Sequence, residues 1–271
     1  MIYKHEYSSN KKIFSFDQNF NEEFSIGLIP SETIKLEIVD QYNVSHGIKS
    51  KFNKPIGCAN CNHDLCPKNL PSSITHITFG WNFNQPVNFL HEGITHLFFG
   101  ANFNQQVDNL PSTVTHLSLG FCFAHSVDSL PQNLTNLTLS YVFNLPVNSL
   151  PKSLININFC DYFSQSIDNL PDSVKFLSLG SKFNQQVNKY PESLEELSFM
   201  SSSSIKNQIP QTIKIINIYW DYCSTDSIIS NVPSNIQKIR INDTNKINLI
   251  TKIPFGCVIT DLLDNIIQQK Y

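Results

Sequence analysis

Along Leu70 to Tyr190 the apolar positions return every 20 residues, and the polar positions return with them. Units open at Leu70, Leu90, Leu110, Leu130, Leu150, Leu170 and Tyr190. Pro71, Pro111, Pro131, Pro151, Pro171 and Pro191 come second, with His91 as the exception. Proline fixes its own φ and turns the preceding residue away from the helical region, so each unit begins at an extended corner. Ile74, Ile77 and Phe79 follow in the first unit with polar residues between them. Ile77 and Phe79 are two apart, which on a strand puts them on one face and His76 and Thr78 on the other. Gly80, Gly100, Gly120 and Gly180 end this strand, where glycine suits a turn whose backbone angles other residues resist. No unit carries a helical period, so the return path is expected to be extended or a short 3₁₀ turn. A fixed short period without insertions predicts a stack of turns. The fold class is therefore mainly β: a right-handed solenoid of about 9–11 turns with a parallel sheet and an irregular return path.

The second half of each unit supplies two apolar columns. Phe83, Phe103, Phe123, Phe143, Phe163 and Phe183 hold one position without variation, and Val87, Val107, Val127, Val147, Ile167 and Val187 hold another. Both are expected in the core. Polar columns flank them. Asn84, Asn104, Asn144 and Asn184 follow the Phe, and Asn88, Asp108, Asp128, Asn148, Asp168 and Asn188 precede the corner. Side chains of this kind bond the backbone two residues on and stabilise turns. A calcium ladder is the rival reading, but single carboxylates mixed with amides are poor ligands for a hard cation.

The consensus Leu-Pro-x-Ser-Leu-x-x-Leu-x-Phe-Gly-x-x-Phe-Asn-Gln-Pro-Val resembles the FNIP repeat. Phe83-Asn84-Gln85-Pro86, Phe103-Asn104-Gln105-Gln106, Phe143-Asn144-Leu145-Pro146 and Phe183-Asn184-Gln185-Gln186 carry the likeness, which is clear over 70–200. Ile74-x-x-Ile77-x-Phe79-x-x-Asn82 is also similar to the opening of a leucine-rich repeat, so the resemblance implies a leucine-rich-repeat-like solenoid. Some members join the repeats to an F-box, which implies substrate recruitment to a ubiquitin ligase. Residues 1–12 are too short for an F-box, so the chain reads as a member without one, and ubiquitin-ligase components would be partners through another subunit.

Four segments follow. Residues 1–12 are an N-terminal tail, and 13–69 are degenerate N-terminal repeats interrupted by an insertion at 40–51 and a Cys-rich insertion from Gly57 to Asn69. Residues 70–200 are the regular repeats. Residues 201–271 are degenerate C-terminal repeats, with corners at Ile209-Pro210, Val232-Pro233 and Ile253-Pro254. They end in a short capping helix read from the i, i+4 apolar pairs of Asp261 to Ile267.

Composition narrows the function class. A formal net charge of −3 gives no long-range attraction to nucleic acid or anionic membrane. No apolar run approaches the ~18 residues of a membrane span, and the amino terminus lacks a signal-peptide core. An intracellular, cytoplasmic protein is the expectation. Seven cysteines, an odd number, fit reduced thiols better than a disulfide framework.

Candidate chemistry lies in two places. Cys58, Cys61, His63 and Cys66 are four soft ligands within nine residues, which could hold a structural zinc and fold their loop. The outward strand positions His76, Thr78, His96, Phe98, His116, Ser118, Asn136, Thr138, Asn156 and Asn158 form the expected binding face. His76, His96 and His116 stand there in successive turns, either as a hydrogen-bonded polar ladder or as a column that senses pH or holds a metal. Trp81, Phe121 and Tyr141 sit just beyond the strand and could anchor a partner. No nucleophile–base pair, phosphate loop or paired carboxylate stands out. The chain therefore reads as a non-enzymatic scaffold for an unidentified protein partner, with no cofactor beyond the candidate zinc. Two alternatives remain open: a zinc-stabilised module working through the Cys58–Cys66 loop, and a self-assembling structural rod.

Overall fold

A computed structural model describes residues 6–7, 13–16, 29–38, 70–88, 90–220 and 228–269. The insertions at 40–51 and 57–69, including the Cys58–Cys66 ligand set, lie outside the described residues. The chain divides into two compact units, Met1–Ser140 with Ser149–Ser153, and Tyr141–Asn148 with Leu154–Tyr271.

In the first unit, β1 (Glu6–Tyr7) pairs antiparallel with β2 (Ile13–Phe16). Then β3 (Lys35–Ile38), β4 (His76–Thr78), β5 (His96–Phe98), β6 (His116–Ser118) and β7 (Asn136–Thr138) follow, each parallel to the one before. Part of the expected tail is thus a strand on the sheet edge. In the second unit β8 (Asn156–Asn158), β9 (Phe176–Leu179), β10 (Glu196–Met200), β11 (Ile215–Tyr219), β12 (Lys238–Ile241) and β13 (Val258–Asp261) are parallel neighbours in chain order. An antiparallel β14 (Ile266–Gln269) ends it. The described residues contain no α-helix. Their helical turns are 3₁₀, at Ser204–Asn207 and Thr244–Leu249. Both units are mainly β, parallel-strand solenoids with an irregular return path, as the 20-residue period predicts.

The Pro corner works as a hydrogen-bond acceptor. Pro71 O accepts from Ile74 N at 3.0 Å, and Pro111, Pro131, Pro171 and Pro191 repeat the bond. Pro30, Pro233 and Pro254 make it too, so the degenerate ends keep the corner of the regular repeats. Proline lacks the amide proton but keeps its carbonyl, which is all this turn needs. His91 substitutes with its own carbonyl to Ile94 N, and adds Nδ1 as acceptor for Gly93 N.

Both apolar columns are buried throughout. Within a turn, Phe79 packs on Phe83 with ring centroids 4.1 Å apart, and Phe99 packs on Phe103 at 3.8 Å. Between turns, Phe83, Phe103 and Phe123 follow at 6.1 and 6.3 Å with nearly parallel planes. Phe143, Phe163 and Phe183 do the same in the second unit at 6.3 Å. Such parallel, displaced pairs add roughly 0.5–1.5 kcal/mol each beyond area burial.

Three expectations need correction. First, members of the Asn and Asp columns bond backbone amides of the next turn, 20 residues on. Asn84 Oδ1 accepts from Asn104 N at 2.9 Å, and Asn104 Oδ1 from Ala124 N at 3.0 Å. Asn144 binds Ser164 N, and Asp168 binds Asn188 N, in the same way. Each side chain reaches one turn ahead because a stacked turn presents its unpaired amide there. Serine makes the local bond instead, with Ser126 and Ser166 accepting from Asp128 N and Asp168 N.

Second, the strand-ending glycines are required for space rather than for backbone angle. Among the described glycines, Gly256 alone has positive φ, 77°. A Cβ on Gly100 would collide with the Gly80 carbonyl oxygen, and one on Gly120 with that of Gly100.

Third, Asp261 to Ile267 is a hairpin turn and not a capping helix. Asp261 Oδ1 accepts from Leu263 N and Asn265 N at 2.8 and 2.9 Å, and Asp264 takes a left-handed φ of 64°. Leu262, Leu263 and Ile266 are 47%, 84% and 67% exposed, so a helix would have no buried face to stabilise it. The open ladder of β13 offers backbone bonds that a single helical turn cannot match.

Candidate functional site

Alternation along each short strand buries the middle residue and sends its neighbours outward. In the first unit this makes two columns in register. One runs Lys35, His76, His96, His116, Asn136, and the other Glu37, Thr78, Phe98, Ser118, Thr138. Eight of the ten expected face residues therefore stand together on one unit. Asn156 and Asn158 hold the same places on β8 of the second unit.

The three imidazoles are stacked. Centroids of His76 and His96 lie 3.9 Å apart, and those of His96 and His116 lie 4.1 Å apart, with interplanar angles of 15° and 11°. Each Nδ1 meets the hydroxyl of the preceding threonine: Thr75 at 2.6 Å, Thr95 at 2.8 Å and Thr115 at 2.9 Å. The threonines thus orient the rings. Loss of solvent pushes His96 down to about 4, helped by its neighbours His76 and His116. Burial also lowers His76, followed by the charge of Lys35 and of His116. Phe98 is 37% exposed beside this column, its ring 6.4 Å from that of His96.

In the second unit the corresponding face closes on itself. Arg240, the chain's single arginine, reaches Glu196 Oε1 at 3.2 Å and Asp264 Oδ1 at 2.8 Å. Asn217 Nδ2 donates to Glu196 Oε1 at 2.6 Å and to Ser198 Oγ at 2.8 Å. Sequence reasoning missed this network. A lone Arg at an outward strand position, diagonal to an acidic residue two strands away, was the available signal.

The aromatic rim is present: Trp81 and Phe121 are exposed, while Tyr141 is half-buried and meets Tyr162 edge-on at 5.2 Å. A further feature lay outside the expected sites. A groove of about 390 Å³ is lined by Pro86, Asn88, Asn104, Gln105, Gln106 and His125. Inter-turn bonds engage Asn104 and Gln105 there, and His125 Nε2 sits 3.0 Å from Asn104 O. Among the described residues, no group of three or more His, Cys, Asp or Glu is placed to hold a metal ion, and no helix is long and apolar enough to cross a membrane.

The turns that carry these features match the family model for the FNIP repeat at residues 62–90, 86–122, 126–162, 144–182 and 163–202. The chain belongs to the FNIP repeat family. The Phe of the FNIP signature is the buried ring column, and the Asn after it is the inter-turn amide ladder. A solved structure described as CroV588, a novel circular LRR protein, is similar with a TM-score of 0.61 and 29% identity over 90% of this chain. The FNIP chain spans 35% of that protein's length. The fold is thus leucine-rich-repeat-like. None of the curated proteins compared matches the chain.

Proposed function

We propose that the chain is a non-enzymatic repeat scaffold that binds another protein through the outer face of its sheet, with recruitment of that protein as its task. The observation that carries this is the strip from His76 to Thr138. It is a regular, half-buried face of hydrogen-bonding side chains without a formal charge, with Phe98 exposed among them. Such a surface favours hydrogen bonds and modest apolar contact, and binding that depends weakly on salt. Two of the described thiols, Cys160 and Cys257, are poorly suited to nucleophilic chemistry. Burial raises Cys257 to about 11, and burial with Asp161 nearby raises Cys160, so both stay protonated.

Affinity capture from host-cell lysate tests the reading, comparing the native chain with His96→Glu/His116→Glu and confirming by circular dichroism that both are folded. A protein held only by the native chain supports the face, and ubiquitin-ligase subunits in that set would support an adaptor role. Equal capture by both proteins moves the interface elsewhere. A second reading, self-association, is favoured by the exposed Leu262, Leu263 and Ile266 beside the edge strand β14. The circular protein similar to this chain offers a closed ring as its form. Zinc at Cys58, Cys61, His63 and Cys66 is a separate proposal, supported if purified protein carries stoichiometric metal that Cys61→Ser removes.

A further inference from the structure

We propose that His76, His96 and His116 form a proton-operated recognition strip: a row of hydrogen-bond acceptors at neutral pH that becomes a row of cationic donors, and an anion site, in acid. The proposal deepens the reading of the sheet face as a binding surface and rests on it. The threonine hydroxyls decide the tautomer. Thr95 Oγ1 donates to Thr75 O at 3.1 Å, and Thr115 Oγ1 donates to Thr95 O at 3.2 Å. A hydroxyl has one proton, so these oxygens can only accept from the rings behind them. In the proposed arrangement the contacts at His96 Nδ1 and His116 Nδ1, at 2.8 and 2.9 Å, are N–H donors to oxygen. In a neutral ring this leaves the lone pair on Nε2. Neither Nε2 is buried without a partner, and neither has one among the described residues. Both face solvent as acceptors.

The stacking settles what such a row can bind. Planes within 15° of parallel and about 4 Å apart aim their lone pairs side by side rather than at one point. A single metal ion would lie in the plane of one ring only. A partner presenting several donors (hydroxyls, amide N–H groups or ammonium) fits instead, while carboxylate, phosphate and sulfate find only acceptors. The row ends at β7, where Asn136 takes the histidine's place and its side-chain amide meets Thr135 Oγ1 at 2.8 Å.

Protonation reverses this selectivity without moving the rings, because the added proton goes to Nε2 and the Nδ1–H bond to threonine stays. The charged groups facing the row are few. Lys35 is in register with His76 and paired to Glu37 at 2.7 Å. Thr78, Phe98, Ser118, Asn136 and Thr138, from the strands on either side, are uncharged. No carboxylate from these strands stands next to His96 or His116 to neutralise an added proton, so the charge calls for an external anion. The depressed titration of His96 and of His76 agrees with that arrangement.

The test uses the full chain labelled with ¹⁵N-histidine, titrated from pH 8 to pH 4 by NMR, with a heparin-derived hexasaccharide as the anionic probe. His96 and His116 are expected as the Nδ1–H tautomer at pH 7.5. At pH 4.5 the native chain is expected to bind the probe at least about 10-fold more tightly than His96→Asn/His116→Asn, a difference of about 1.4 kcal/mol. At pH 7.5 the two should bind it equally weakly. Asn is the residue the next turns carry at this place, so the variant keeps a compatible side chain. An Nε2–H tautomer at neutral pH overturns the proposal on native protein alone, and so does equal probe binding by both proteins in acid. Failure of partner capture to depend on His96 and His116 would remove the neutral-pH binding face while leaving the acid-dependent anion site standing.

Discussion

Phe103 lies between Phe83 and Phe123 and rests on Phe99, so its ring is fully buried against three others. Phe103→Ala should cost about 3–5 kcal/mol, the range for truncating a buried Phe, read from urea denaturation. A loss under about 1 kcal/mol would mean that neighbouring turns close the gap. The histidines set a pH dependence with a definite sign. Folding lowers His96 from its ordinary value to about 4, so the unfolded chain takes up a proton first on acidification. Its stabilising contribution is complete above pH 6.5 and drains away as pH falls toward 4. Melting temperature should fall over that window, and His96→Asn should flatten the fall; a variant with the native slope would remove the row as its source. Single residues were legible in the sequence where they repeat alone, as the Phe and Val columns do. What escaped were relations between residues a full turn apart. Gly100 reads as a turn former until the Gly80 carbonyl is seen against it, and Asn84 reads as a local cap until Asn104 N is found at its oxygen.

At the scale of elements, the strands were legible because short alternation with a Pro corner leaves few choices. The Pro30, Pro233 and Pro254 corners could be read even where the period had loosened. The end of the chain was not, since Asp261 to Ile267 has the spacing of a helix and the geometry of a turn. Spacing cannot report that Leu262 and Leu263 lack a surface to pack on, whereas β13 has an open edge. This hairpin also sets a test of self-association. Leu263→Asp should change stability by less than about 0.5 kcal/mol, being an exposed site, while lowering any concentration-dependent dimerisation seen by analytical ultracentrifugation. If dimers persist unchanged, the β14 edge is not their seat. Natural edge strands are commonly guarded by charge or proline, and Ile266-Ile267-Gln268-Gln269 has neither.

For the molecule as a whole, repetition makes the fold easier to read than the site. A solenoid is specified locally and repeatedly, since each turn needs only its neighbours. A binding face is specified by a partner, and the partner leaves no periodic mark. The strip was visible as three histidines at one place, but their tautomer depends on hydroxyl bonds that no spacing reveals. The inter-turn ladders carry one more consequence. Asn84, Asn104 and Ala124 meet at the same offset of 20 residues, so removing residues 91–110 should let Asn84 Oδ1 receive Ala124 N and His76 stack on His116. That shortened chain should remain folded, with one strand fewer, by NMR and circular dichroism; collapse would show that the turns are not interchangeable. If they are, unequal recombination can add or delete 20 codons at a time while keeping both reading frame and bonding partners. Array length would then be a heritable trait able to vary between generations without passing through a misfolded intermediate.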